Sequence, residues 1–152
     1  PAFEWEGEFA HFRNLYRDTF HNTERGDALM WLAEVPGNTL VGQAFVSLNS
    51  NRPELADGEH KAYVYGFRVR PTYRNQGIGT RLMRVIEDDL AKRGYQFVTL
   101  NVARDNPGAR CLYERLGYQV TAAEPGDWFY IDHHGVRHDV HEPARRMGKM
   151  IK

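Results

Sequence analysis

The sequence predicts a mixed α/β fold: a central β-sheet, partly antiparallel and partly parallel, flanked by helices. Three observations predict it. Residues 63 to 102 read as strand, glycine loop, amphipathic helix and strand, the order of a parallel βαβ crossover. Upstream, Leu29 to Val35 and Thr39 to Leu48 are apolar runs joined by Pro36-Gly37-Asn38, the composition of a hairpin turn. Downstream of Tyr118, short strand-like runs are separated by turn residues.

The elements follow in chain order. Trp5, Phe9, Phe12, Tyr16 and Phe20 keep helical spacing, so Glu6 to Phe20 is expected to be an amphipathic packing helix. After the hairpin, Asn49 to Glu59 is polar, contains Pro53 and Gly58, and reads as a loop. The run from Tyr63 to Arg70, YVYGFRVR, is aromatic and β-branched, and Pro71 ends it because proline cannot continue a ladder. The glycine loop spans Arg74 to Thr80. Ile78, Leu82, Val85, Ile86 and Leu90 then form an apolar helical stripe, with Arg81, Arg84, Glu87, Asp88 and Lys92 on the other face and Gly94 as the stop. Gln96 to Val102 is apolar on both faces, as a buried parallel strand should be. Asn106-Pro107 supplies an N-cap and a first-turn proline. Ala109, Leu112, Tyr113 and Leu116 share one helical face, and Gly117 closes that helix. Gln119 to Ala122 reads as a strand interrupted by Glu124-Pro125-Gly126-Asp127. Trp128 to Ile131 and Val136 to Val140 form a second hairpin, and Met147 to Ile151 a last short strand. No repeat or linker divides the chain, so residues 1–152 are expected to be one domain.

The first chemical signal is the start of the helix after Gly77. A helix's first turn presents unpartnered N–H groups and the positive end of its dipole, yet no Asp or Ser immediately precedes Gly77 to cap it. An external anion would fill that role: Gly77 and Gly79 clear the approach to the main chain, and Arg74 and Arg81 add cationic donors. A P-loop is excluded because no lysine follows Gly79. A dinucleotide fingerprint is excluded because Leu82 stands where a third small residue is needed. Tyr113 reads either as a core aromatic or as a buried phenol with its polar end reaching a site.

Two segments resemble a known family. Arg74-Asn75-Gln76-Gly77-Ile78-Gly79 after a strand is similar to the acyl-CoA loop of the GNAT acetyltransferase superfamily. Residues 106 to 118, NPGARCLYERLGY, resemble its second signature. The resemblance implies a GNAT-like acyl-CoA N-acyltransferase fold, with splayed parallel strands in a mixed sheet, and direct transfer of an acyl group, usually acetyl, from acetyl-CoA to an amine. Phe67 and Val69 would offer main-chain groups to the pantetheine arm. Gln76, Gly77, Ile78, Gly79 and Thr80 would hold the pyrophosphate with their N–H groups, aided by Arg74 and Arg81. Asn106 would contact the CoA arm, and Tyr113 would be the general acid for the departing thiolate. A main-chain N–H would polarise the thioester carbonyl. The family's usual first strand has only Pro1 to Trp5 available and is expected to be rudimentary or missing. The helix from Glu6 to Phe20 would line the acceptor side, with Tyr16, Asp18 and His21 as candidate contacts. Some members carry a glutamate early on the central strand or midway along the next. Here those places hold Tyr63 and Asn101, so deprotonation is left to ordered water or to Glu124 or Asp127. Tyr63, Tyr65 and Trp128 are candidates for an aromatic wall of the acceptor cleft, or for core positions.

Composition narrows the function classes. Twenty basic and twenty acidic residues cancel, which gives no bulk electrostatic case for nucleic acid or a membrane surface. No run approaches transmembrane length, and the lone Cys111 suggests a reducing, cytoplasmic location. His133, His134, His138 and His141 sit in a predicted turn and strand with spacing that fits no common metal motif, so no metal is expected. The implied partner is a small-molecule or peptide amine. An exposed strand edge at Met147 to Ile151 offers pairing with a second copy as a homodimer. A catalytically silent acyl-CoA-binding module is the alternative function, and a nucleic-acid-binding domain using Arg68, Arg70, Arg74, Arg81 and Arg84 is a third.

Overall fold

The computed structural model describes residues 23–37, 39–141 and 143–151. The helix expected from Glu6 to Phe20, its candidates Tyr16, Asp18 and His21, and the short N-terminal strand lie outside the described residues. β1 (Ala28–Val35) and β2 (Thr39–Ser47) form the expected antiparallel hairpin, and β3 (Lys61–Val69) pairs antiparallel with β2. The polar loop between β2 and β3 is closed by Asp57, whose carboxylate accepts main-chain N–H bonds from Glu59, His60 and Lys61 at 3.0, 2.7 and 2.9 Å. Burial by itself raises the Asp57 pKa. The three N–H donors outweigh it and hold the carboxyl down at about 2.

A short 3₁₀ turn (Pro71–Tyr73) leads through the glycine loop into α1 (Ile78–Lys92), and β4 (Phe97–Ala103) returns parallel to β3. Then come α2 (Pro107–Arg115), β5 (Gln119–Glu124), the hairpin β6 (Asp127–Ile131) and β7 (Arg137–His141), and β8 (Ala144–Met150). The main sheet has the order β1-β2-β3-β4-β8-β5, while β6 and β7 make a separate two-stranded sheet. This is the mixed α/β architecture the sequence predicts.

The last strand differs from expectation. It starts at Ala144 rather than Met147, and it lies inside the sheet, paired antiparallel with β4 on one side and with β5 on the other. From Ala144 to Gly148 both rows of its main-chain groups are therefore used. The edge expected along Met147 to Ile151 for pairing with a second copy is covered by β5 as far as Gly148. The strand's added residues are Ala144, Arg145 and Arg146. In the fold these side chains are half-buried.

The core lies between the sheet and the two helices. From α1 it takes Leu82, Met83, Ile86 and Leu90, which pack on Val46, Val64, Val98 and Leu100. Each such burial is worth about 1.5–3 kcal/mol. Val85, expected on this stripe, is 43% exposed, and Met83 takes the place beside Leu82. Glu87 departs from its expected solvated face: its two oxygens accept from Lys149 Nζ on β8 and from the hydroxyl of buried Tyr118, both at 2.7 Å. Among the described residues no helix is long and apolar enough to cross a membrane.

Candidate active site

The site begins where the parallel pairing ends. β3 and β4 are in register from Lys61↔Phe97 to Val64↔Leu100, and beyond that pair the strands part. The gap opens into a cleft of about 1020 Å³, closed on the helical side by the start of α1 and by α2. A bulge accompanies the parting. Between Gln43↔Arg68 and Phe45↔Tyr65 the β2–β3 register shifts, so Gly66 and Phe67 together face Ala44. Gly66 has φ of 61°, and a Cβ there would stand 2.7 Å from the Phe45 ring, so both backbone and space require glycine. Past the bulge, Arg70 N–H donates to Val41 O at 2.8 Å. Strand alternation therefore turns the main-chain groups of Phe67 and Val69 the other way, towards the gap.

The opposite end of the cleft is the N-terminus of α1. Gly77 is its N-cap, left-handed at φ 81°, with no side-chain cap and no acidic residue in the first turn. A Cβ on Gly77 would meet nothing within 4 Å, so the space before the helix is open. Gly79 differs: a Cβ there would make an ordinary contact, 3.4 Å from the Phe67 ring, so α1 already sits close against β3 at this point. Gly77, Ile78, Gly79 and Thr80 all line the cleft. Arg74 lines it too, with Nε donating to Val69 O at 2.9 Å. Gln76 and Arg81 are not on the lining. The Gln76 side-chain amide donates to Thr72 O at 3.3 Å, and Arg81 is exposed on α1.

On α2, Tyr113 is buried against Phe67 and Tyr118, each ring pair edge-on with centroids 6.0 Å apart. Its hydroxyl makes no hydrogen bond among the described residues, and the ring forms part of the cleft wall. Burial pushes the phenol up to about 12, with the charge of Arg68 acting in the opposite sense. Asn106 also lines the cleft. Its Oδ1 caps α2 by accepting from Ala109 N–H at 3.1 Å, which leaves its amide nitrogen for any further contact.

Towards the other face, Tyr63 and Tyr65 stack at 5.5 Å, and Tyr65 reaches the cleft lining while Tyr63 stands behind it. Asn101 Nδ2 donates to the Tyr63 hydroxyl at 3.4 Å. Asn101 Oδ1, on the cleft side of β4, is buried without a partner among the described residues. Trp128 lies on β6, opposite Val140 in the separate sheet. Glu124 is not placed to serve as a base. It is buried and clamped by Arg52 Nη2, at 3.0 and 3.1 Å to its two oxygens, and by Arg146 Nε at 3.1 Å. Asp127 is exposed and paired with His141, and His138 pairs with Asp132 at 2.7 Å. Among the described residues no group of three or more His, Cys, Asp or Glu side chains is arranged to hold a metal ion.

Two residues that reading by type did not single out belong to this region. Arg115, at the end of α2, lines the cleft. Gln43, on β2, is 1% exposed, and its signal was present as the lone amide in the apolar run LVGQAFV.

The chain can now be set against known proteins. The acetyltransferase (GNAT) family model matches residues 2–118. The ribosomal-protein-S18-alanine N-acetyltransferase from Escherichia coli is 24% identical and superposes with a TM-score of 0.66, over 89% of this chain and 76% of that one. Ard1 from Thermoplasma volcanium is 21% identical with a TM-score of 0.68, over 91% and 79%. A Vibrio cholerae spermidine N-acetyltransferase chimera is 17% identical with a TM-score of 0.69, over 99% and 83%. At these identities the structural likeness carries the fold, and the family match carries the membership. The chain belongs to the GNAT acetyltransferase family and is an acyltransferase.

Proposed function

We propose that the protein transfers the acetyl group of acetyl-CoA directly to a primary amine on a small molecule or peptide. The observation that carries this reading is one continuous cleft with an uncapped helix N-terminus at one end, parted strand edges along its length and the Tyr113 phenol on its wall. The N–H groups of the first turn of α1, behind the open space at Gly77, suit a pyrophosphate, and Arg74 adds charge beside them. Phe67 and Val69 offer an amide-bearing arm the ladder partners that β4 has withdrawn. Arg81 and the Gln76 side chain are left with at most an outer role.

When bound, acetyl-CoA supplies an activated thioester carbonyl for the amine nitrogen to attack. A main-chain N–H at the Gly66 bulge stabilises the charge that develops on the carbonyl oxygen. As the C–S bond breaks, Tyr113 gives its hydroxyl proton to the leaving sulfur and regains one from water. A phenol held at about 12 stays protonated throughout the neutral range and is available as that acid. With Glu124 clamped by two guanidinium groups, the amine's proton leaves to water, and the small neutral fraction of an amine of pKa about 10 suffices to start the reaction. Tyr65 and Asn101 form the acceptor side, and Tyr63 backs them through its stack on Tyr65 and its bond from Asn101. Exposed Cys111 fits a reducing, cytoplasmic setting.

Calorimetric titration with acetyl-CoA, followed by thiol release against a panel of amines, tests the proposal in wild type and Tyr113→Phe. Binding with acceptor-dependent release that falls in the variant is expected. Binding with no release from any amine would favour a silent acyl-CoA module, and absence of binding would overturn the cleft assignment.

A further inference from the structure

Gln43 is an unusual residue for its place. It lies on β2 with 1% of its surface exposed, between Val41 and Phe45, which are also buried. Its Nε2 donates to Gly66 O at 3.2 Å, and its Oε1 has no hydrogen-bond partner among the described residues. A buried amide satisfied at only one end is less stable there than Leu or Met of similar volume. The one side-chain bond it makes among the described residues is therefore the feature to explain.

That bond fixes a particular peptide. Gly66 is the left-handed residue of the bulge, and the carbonyl that Gln43 holds belongs to the peptide unit whose N–H is that of Phe67. No peptide among the described residues is cis, so this C=O and this N–H point in opposite directions. Ala44 and Val46 pack with the α1 residues, so Phe45, which meets the Tyr65 ring, and Gln43 two residues along β2 point to the sheet face away from α1. Gln43 therefore stands on that face and draws the Gly66 carbonyl towards it, which turns the Phe67 N–H towards the face bearing Tyr113. The alternation set by the Arg70–Val41 bond independently directs Phe67 N–H into the gap between β3 and β4. The Phe67 ring packs edge-on against Tyr113, so the donor and the phenol lie on the same stretch of wall.

We propose that Gln43 is a positioning residue for acyl transfer. From behind the sheet it holds the Gly66–Phe67 peptide so that the Phe67 N–H is the preorganised donor to the thioester oxygen. The inference rests on the acetyl-transfer reading above and adds what aims the bulge N–H. Gln43 itself touches no substrate.

The experiment uses acetyl-CoA labelled with ¹³C at the thioester carbonyl, and reads the C=O stretch by infrared difference spectroscopy on binding to wild type, Gln43→Met and Gln43→Leu. Wild type is expected to shift the band to lower frequency. In both variants the shift should shrink and kcat should fall about tenfold or more, less than the loss on removing an oxyanion donor outright. KM for acetyl-CoA and the affinity for CoA itself should change less than about twofold, because the pyrophosphate end of the cleft is untouched. A full wild-type band shift and kcat in both variants would overturn the role of Gln43. Absence of any band shift in wild type, with acetyl-CoA bound, would instead overturn main-chain polarisation of the thioester. If Gln43→Met is unfolded by circular dichroism, Gln43→Leu and wild type Phe67 amide shifts, read by ¹⁵N NMR with and without acetyl-CoA, carry the test. An unmoved Phe67 amide on binding would overturn the assignment.

Discussion

At the scale of single residues, the site depends on groups whose environment sets their chemistry. Tyr113 is the clearest case: burial lifts its phenol from an ordinary 10 to about 12. Its proton is therefore retained through the whole working range, and a pH–rate profile should show no alkaline fall attributable to this group below about pH 11. A descending limb near pH 9 that disappears in Tyr113→Phe would contradict this. The same shift has a stability consequence. Because the folded value is raised, the contribution is complete below about pH 10 and is lost as pH rises through about 12. Asp57 has the opposite sign. Its folded value of about 2 lies below the ordinary 3.8, so its contribution is present above pH 4 and is lost as pH falls towards 2. Urea midpoints between pH 5 and pH 2.5 should fall more steeply in wild type than in Asp57→Asn, and parallel slopes would show that the three N–H bonds to Asp57 are not what acid removes. These environments were illegible in the sequence. Asp57 reads as one polar loop residue among several, and Asn101 as a single amide in a β-run, until the fold supplies the neighbours.

At the scale of elements, periodicity and punctuation account for what could be read. α1 and α2 were legible because their apolar residues recur at the helical period and because Gly94, Asn106-Pro107 and Gly117 mark their ends. What periodicity cannot give is the exact direction of the stripe, hence Val85 outside and Met83 inside. It also cannot show a charge recruited from afar, such as Lys149 reaching Glu87. That junction joins α1, Tyr118 just before β5, and β8 through one carboxylate. Lys149→Met should cost about 1–3 kcal/mol, because the partly buried Glu87 loses its cation while keeping its burial. A chemical-denaturation midpoint equal to wild type would refute the estimate. The bulge is equally demanding. Gly66→Ala forces an L-residue to φ of 61° against the Phe45 ring and should destabilise by about 1–2 kcal/mol or more, read in the same assay.

At the scale of the whole molecule, strand order was the least legible property, since it is fixed by pairings between residues distant in sequence. Nothing local in Ala144 to Met150 says that it will lie between β4 and β5 rather than at an edge. The β6–β7 hairpin is the converse case: its turn residues announced it, and it stands as its own sheet between two strands that are already neighbours. Glu124 at the end of β5 pairs with Ala144 at the start of β8, so replacing residues 126–142 by a tight turn should leave a cooperatively melting fold. Loss of the cooperative transition would show that the hairpin is integral to the core. The internal place of β8 also orders events during synthesis. β4 and β5 are both made before the strand that joins them, and β8 supplies the only ladder that β5 has among the described residues. A ribosome-bound chain stalled short of Ala144 thus carries β1 to β4 as a sheet with a bare inner edge and β5 as a loose ribbon. Folding force on the nascent chain should rise in two steps, the second only when residues 144–150 have emerged, and the interval between them is when this protein is most open to chaperones and to pairing with the wrong strand.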